Sequence, residues 1–352
     1  MSGWPLGVIE GFYGRQWQWA ERRALPGLLR NWGYNAYLYA PKGDSSLRSR
    51  WREDFSAGHT AALQSLSAAC AEANIDWGVG LSPAGLQSEF GPEDRRDLQR
   101  KLRQIADLQP RYLWILFDDL PAGIPQLAAR QLAVMDVVRD TLPNITLAMC
   151  PSYYSDDPIL ETLFGARPEG YFEALAEGLD ADIDLLWTGP RVISSEYSRD
   201  DMQRAASLLG RKPLLWDNYP VNDGRKSSRF LNVLPFRGRE PWLQQACSGH
   251  FVNPMNAFHL SFLPLQGLPS HYREPLSVDM AFAQALRTLP DALADLLADY
   301  ADIFQSQGLD NMPADLKSAL ALRCDGISHP AAVELAGWLR EEYRFDPDCL
   351  TE

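Results

Sequence analysis

Eight short apolar or β-branched runs punctuate the first part of the chain, at 6–12, 35–41, 76–83, 112–119, 145–151, 183–190, 213–218 and 249–254. Their starts fall roughly 30 to 40 residues apart, the pace of βα units. Between the runs, apolar positions recur with helical period. Leu98, Leu102, Ile105 and Leu108 form one stripe behind Pro92, a residue suited to a helix's first turn. Ser198, with Asp201 three residues on, has the form of a capping box. The helix it opens would turn Met202, Ala205 and Leu209 inward and stop at Gly210. Eight strands with interposed helices predict an α/β fold, a (β/α)8 TIM barrel over residues 1–274. A doubly wound open sheet is the competitor, but it usually has fewer strands, and no GxGxxG loop follows the first run.

From about residue 275 the pattern becomes helical throughout. Leu293, Leu296, Leu297, Tyr300 and Phe304 form a stripe that Gly308 would end; Leu335, Trp338, Leu339 and Tyr343 form another. Residues 275–352 are therefore expected to be a small all-helical appendage packed on the barrel. A dimerisation element, and with it a homodimer, is the other reading of this tail.

Composition narrows the partners. Among 352 residues, 46% are hydrophobic and 22% charged, a globular balance, and the net charge of −13 disfavours a nucleic-acid partner. No stretch approaches the ~20 apolar residues of a membrane span. The N-terminus has no basic region followed by an apolar run, so a cytoplasmic protein is expected. The five cysteines are scattered without zinc or redox spacing, and the five histidines form no HxH or HExxH pattern. Neither metal nor cofactor is expected.

In a barrel enzyme, chemistry gathers where the strands end. Here those ends are polar: Lys42 after the second run, Asp118 and Asp119 after the fourth, and Tyr154 after the fifth. Thr188 follows at the sixth, Asn218 at the seventh with Asp223 beyond it, and Asn253 at the eighth. Each has an ordinary alternative. An aspartate caps the helix after Pro121, Lys42 lies along the surface, the asparagines form turns, Tyr154 packs at a rim, and threonine is at home in strands. Convergence on one rim lifts the set. Asp118 and Asp119 carry a further implication. Neighbours on a strand point to opposite faces, so both serve one pocket only if the backbone turns there. Their titrations would then be coupled, one holding the proton in preference to the other. A neutral acid beside a carboxylate is what glycoside hydrolysis uses.

Seven ordered blocks, "GVIEGFYGRQW" (7–17), "NAYLYAPKGD" (35–44), "LFDDL" (116–120), "MCPSYY" (149–154), "LLWTGPRVIS" (185–194), "WDNYPVND" (216–223) and "FVNPMN" (251–256), resemble those of glycoside hydrolase family 84. That family comprises the O-GlcNAcases and related β-N-acetylglucosaminidases. The resemblance spans about residues 5 to 260. It implies a (β/α)8 barrel and retaining, substrate-assisted hydrolysis of terminal β-linked GlcNAc through an oxazoline. Asp118 would orient the acetamido group, and Asp119 would act as general acid and then base. Asp223 and Asn253 would hold ring hydroxyls, Gly11 would offer its carbonyl, and Lys42 would reach a hydroxyl on the same edge. Tyr154 and Asn218 would surround the acetamido group and the aspartate pair, and Thr188 and Val192 would line the pocket. The implied partner is a β-GlcNAc-bearing glycoconjugate or oligosaccharide.

Two departures stand out: Gly43 where the family usually has an acidic residue, and "LSPAGLQSEF" after the third strand in place of the usual SPG-type loop. Both touch aglycone contacts rather than the acid pair. Two other functions remain open on the sequence. One is an endo-acting, hyaluronidase-type hydrolase with Arg15, Arg191 and Arg225 along a groove. The other is a non-catalytic sugar-binding barrel.

Overall fold

A computed structural model describes residues 3–273, 277–343, 345, 347 and 349–351. The eight runs are eight strands: β1 Leu6–Glu10, β2 Ala36–Tyr39, β3 Asp76–Leu81, β4 Tyr112–Leu116, β5 Thr146–Cys150, β6 Asp184–Trp187, β7 Leu214–Asp217 and β8 Gly249–Val252. Each pairs in parallel with its sequence neighbour, and β1 pairs with β8, Gly7 opposite Phe251, so the sheet closes into a barrel. Trp114 of β4 and Phe251 of β8 meet edge to face with ring centroids 4.6 Å apart. These strands are not neighbours, so the contact crosses the interior, which is packed rather than hollow.

The helices between the strands keep their predicted faces. Helix Pro92–Ala106 buries Leu98, Leu102 and Ile105, with Pro92 in its first turn; Leu108 is buried just beyond its end. Helix Arg199–Leu209 has the capping box of Ser198 and Asp201, and Gly210 closes it in the left-handed conformation. Each strand stops one to three residues short of its apolar run. The residues left over are the ones that build the rim.

The predicted boundary between 274 and 275 lies outside the described residues. Beyond it, helices Val278–Leu286, Asp291–Ser306, Gly308–Asn311, Ala314–Asp325 and Pro330–Leu339 share a second core. Its centre holds Leu293, Leu297, Phe304, Leu335 and Trp338, and it also takes Leu231, Val233, Met255 and Leu260 from the barrel segment. Burying each such side chain contributes about 1.5–3 kcal/mol, so the helical region and the barrel flank stabilise one another. Helix Asp291–Ser306 is followed by its C-cap Gln307 and then by Gly308 at φ +66°, which ends it as expected and opens the next short helix. Among the described residues no helix is long and apolar enough to cross a membrane.

Candidate active site

β4 ends at Leu116, and Phe117 makes one further ladder bond, donating its N–H to the Cys150 carbonyl at 3.0 Å. The backbone then turns: Asp119 has φ +56°, the left-handed region that aspartate tolerates better than most side chains. This turn is what the adjacent carboxylates required. Both Asp118 and Asp119 line one cavity at the C-terminal end of the barrel, with about 500 Å³ of empty space. The same cavity is lined by Gly11, Lys42, Tyr154, Thr188, Val192, Asn218, Asp223 and Asn253. All ten residues singled out in the sequence thus meet at one place.

The two aspartates have different surroundings. Asp118 is buried and forms an ion pair through Oδ2 with the Lys42 ammonium. Its Oδ1 is buried with no hydrogen-bond partner among the described residues. Lys42 is itself buried, with its cation 5.6 Å from the Trp216 ring centroid and 5.8 Å from that of Tyr13. It does not lie along the surface. Asp119 accepts hydrogen bonds from two phenols, Tyr13 Oη and Tyr154 Oη, each at 2.8 Å, one on each oxygen. Burial raises the Asp119 pKa above the usual carboxylate range, and the Asp118 charge adds to the rise; Lys42 and the two phenols oppose it. Burial and the Asp119 charge hold both phenols neutral, well above their ordinary pKa, so they stay donors.

The remaining walls are braced by one another. Asn218 donates to the Val192 carbonyl at 2.9 Å and accepts from Trp216 Nε1 at 2.9 Å and Asn253 Nδ2 at 3.1 Å. It therefore ties three loops together, and no contact of Asn218 with the aspartate pair is among these bonds. Asn253 Oδ1 accepts the Gly11 N–H at 3.2 Å, and Asp223 Oδ2 accepts the Tyr13 N–H at 2.6 Å. Thr188 donates to the Arg191 carbonyl at 3.0 Å, fixing the loop that carries Val192. The glycine at position 11 is demanded by the protein itself: a Cβ there would stand 2.5 Å from Trp216 Cζ2.

Beneath the rim lies a polar network that the sequence did not reveal. Asp217, at the end of β7, is fully buried and gripped by Arg239 at 2.7 and 2.9 Å, with His250 Nε2 at 2.9 Å. Burial alone would raise its pKa, but Arg239 and His250 bring it down to about 2. Arg239 also donates to the Ser194 carbonyl at 2.8 Å, so one guanidinium fixes both the β7 end and the Val192 loop.

Sequence reasoning passed over Tyr13 and Trp216 as pocket lining. Tyr13 lay within the quoted "GFYG" but had no signal of its own; its reach to Asp119 spans 106 residues. Two residues from the far end of the chain, Cys349 and Thr351, also line the cavity. Gly43, the first departure, is exposed at the rim. A side chain there would displace the Gln16 amide, whose nitrogen lies 2.7 Å from where a Cβ would stand. Away from the pocket, Glu21, His259 and Glu334 bring ligand atoms within 4.8 Å of one another. Glu334 already accepts the N–H groups of His259 and Leu260, and Glu21 that of Gln18.

Residues 6–301 match the family model described as beta-N-acetylglucosaminidase. Protein O-GlcNAcase of Rattus norvegicus is 30% identical over 281 residues, 77% of this chain and 30% of that protein; the Mus musculus protein gives the same figures. The chain thus spans about a third of the length of these relatives. Among solved structures, a mutant O-GlcNAc hydrolase of Thermobaculum terrenum superposes with a TM-score of 0.76 at 27% identity, covering 96% of this chain and 81% of that one. With the match running through nearly all of the barrel, this chain belongs to the beta-N-acetylglucosaminidase family, the O-GlcNAcase-type glycoside hydrolases of family 84.

Proposed function

We propose that the chain removes terminal β-linked GlcNAc from a glycoconjugate or oligosaccharide, acting from the end and with retention, and that the sugar's own 2-acetamido oxygen is the nucleophile. The observation that carries this reading is Asp118 Oδ1, a buried acceptor with no partner among the described residues, next to an acid whose pKa is raised. An unsatisfied buried acceptor costs about 1–3 kcal/mol, and an acetamido N–H would satisfy it. Asp118 then steers the acetamido oxygen onto C1 while Asp119 gives its proton to the leaving oxygen. The C1–oxygen bond breaks as the ring closes to an oxazolinium, whose N–H stays hydrogen-bonded to Asp118. In the second half Asp119, now a carboxylate, takes a proton from water, whose oxygen attacks C1 and reopens the ring. Lys42 holds Asp118 in place through the ion pair, and Tyr13 and Tyr154 aim the Asp119 carboxyl. Asp223 and Asn253 receive ring hydroxyls.

The groove arginines of an endo-acting enzyme find other partners. Arg15 donates to Tyr343 Oη at 2.9 Å, Arg191 pairs with Asp157 at 3.5 Å, and Arg225 lies over the Phe345 ring. Cys70, Cys150, Cys247 and Cys324 are buried thiols outside any disulfide, which suits a cytoplasmic setting.

The test is a series of aryl glycosides with zero to three fluorines on the N-acyl group. Because fluorine withdraws electron density from the attacking oxygen, kcat/KM should fall steeply along the series. A flat series removes substrate assistance.

A further inference from the structure

Arg48 touches Asp119 from outside the pocket. Its Nη2 donates to the Asp119 main-chain carbonyl at 3.3 Å, and its guanidinium stands 5.3 Å from the Tyr13 ring centroid. It is half-buried and is not among the described residues that line the cavity. It therefore meets both the left-handed turn at Asp119, with φ +56°, and the phenol that donates to Asp119 Oδ2 at 2.8 Å. A residue other than glycine keeps such a conformation only where its surroundings fix it. The loop that carries Arg48 runs from β2 to helix Ala57–Glu72 and is pinned on its other side. The Leu47 carbonyl, in the peptide bond leading into Arg48, accepts the Ser82 N–H at 2.8 Å. Trp51 is fully buried, and its Nε1 donates to the Ala84 carbonyl at 3.0 Å. Lys101 reaches across from helix Pro92–Ala106 and donates to the Glu53 carbonyl at 2.5 Å. Ser82 and Ala84 belong to the loop after β3, the second departure in the sequence.

We propose that Arg48 is a positioning residue for Asp119: from a pinned loop it locks the backbone turn and the Tyr13 ring, so that the acid meets the leaving oxygen already aimed. The inference rests on the proposed function, in which Asp119 is that acid. The loop after β3 then bears on the acid as well, because it holds the loop that holds Arg48. One planar guanidinium both donates to the carbonyl and faces the aromatic ring, a pairing that a compact ammonium does not reproduce. Such a contact matters out of proportion to its own strength, since displacing a reacting group by ~1 Å costs about 10²-fold in rate.

The test measures kcat/KM for Arg48→Met on phenyl and dinitrophenyl β-GlcNAc, in the parent and in the Asp119→Asn background. In the parent, the phenyl glycoside is expected to lose at least about tenfold and the dinitrophenyl glycoside less than about threefold, because only the poor leaving group needs the proton. In the Asp119→Asn background no acid remains to be aimed. There the same substitution is expected to cost less than about threefold on either substrate, since residues that act as a unit are not additive. If Arg48→Met does not fold, Arg48→Gln takes its place with the same expectations. Equal losses on the two leaving groups overturn the inference, and so does unchanged activity. A loss on the phenyl glycoside that persists undiminished in the Asp119→Asn background overturns it too, since Arg48 would then act on the loop or the substrate and not through the acid. A parent chain inert on both glycosides, or an Asp119→Asn single variant that loses equally on both, overturns the proposed function instead.

Discussion

Lys42 and Asp118 form a buried ion pair that joins the exits of β2 and β4 directly below the reacting centre. The pair leaves one Asp118 oxygen committed to the ammonium and the other without a partner among the described residues. Its position explains why a lysine so distant in sequence accompanies the aspartates.

Lys42→Met should therefore damage Asp118 more than it damages sugar binding. Removing one partner of a buried pair typically costs about 3–5 kcal/mol, and it takes away the contact that fixes Asp118 Oδ2. An Asp118 that is no longer held in place polarises the acetamido N–H poorly. We expect kcat to fall on the order of 10²–10³-fold, the scale of losing one preorganised electrostatic group, with a smaller change in KM. A variant that raises KM alone would place Lys42 on a sugar hydroxyl and not on Asp118.

Asp119→Asn removes the transferable proton and keeps the side-chain shape. The loss should be large on alkyl or sugar leaving groups and small on activated aryl groups such as dinitrophenol, which depart without protonation. Measuring kcat/KM across a leaving-group series gives the slope directly. Equal losses across the series would show that Asp119 is not the acid.

Asp217 is a structural carboxylate, and its signature is acid sensitivity. Its folded pKa is lowered from 3.8 to about 2, so its contribution is fully present above the unfolded value and is lost as pH falls through the folded one. Between about pH 4 and pH 2 this amounts to roughly 2 kcal/mol, from 1.4 kcal/mol per pKa unit. Denaturation midpoints should drop across that window in the parent, and the Asp217→Asn variant should lack this component while being less stable at neutral pH. Identical acid profiles for the two proteins would refute the assignment.

The barrel was legible because its signal is repeated: each strand is buried on both faces, so apolar runs recur at βα spacing. The strand ends were read too long for a related reason. Residues such as Phe12, Phe117 and Thr188 are buried like strand residues but line or support the rim. The aspartates stood out because two adjacent carboxylates after an apolar run have little structural use. Tyr13, Trp216, Arg239 and Cys349 were not legible. An isolated aromatic, arginine or cysteine has no period, and each of these matters through a partner distant in sequence or through the cavity it lines. The sequence marks Gly11 for its carbonyl; it does not show why a side chain is excluded there. The crowding that excludes a side chain comes from the Trp216 indole, which the chain brings in from the opposite half of the barrel sequence.

Tyr13 and Tyr154 offer the most direct handle on the acid. Each phenol donates to Asp119, and a donor stabilises the carboxylate, so each holds the Asp119 pKa below where burial and Asp118 would put it. The acid is active while protonated, which makes kcat/KM on poor leaving groups fall as pH rises through its pKa. Removing a donor lets that pKa rise, so Tyr13→Phe and Tyr154→Phe should each move the alkaline limb to higher pH, and the double variant should move it further. Rates at neutral pH should fall even so, because the carboxyl is no longer held toward the leaving oxygen. The pH profile separates the two effects: a purely structural loss lowers the whole curve without moving its limb. A limb that shifts to lower pH would mean that the phenols stabilise the protonated acid, opposite to the geometry found.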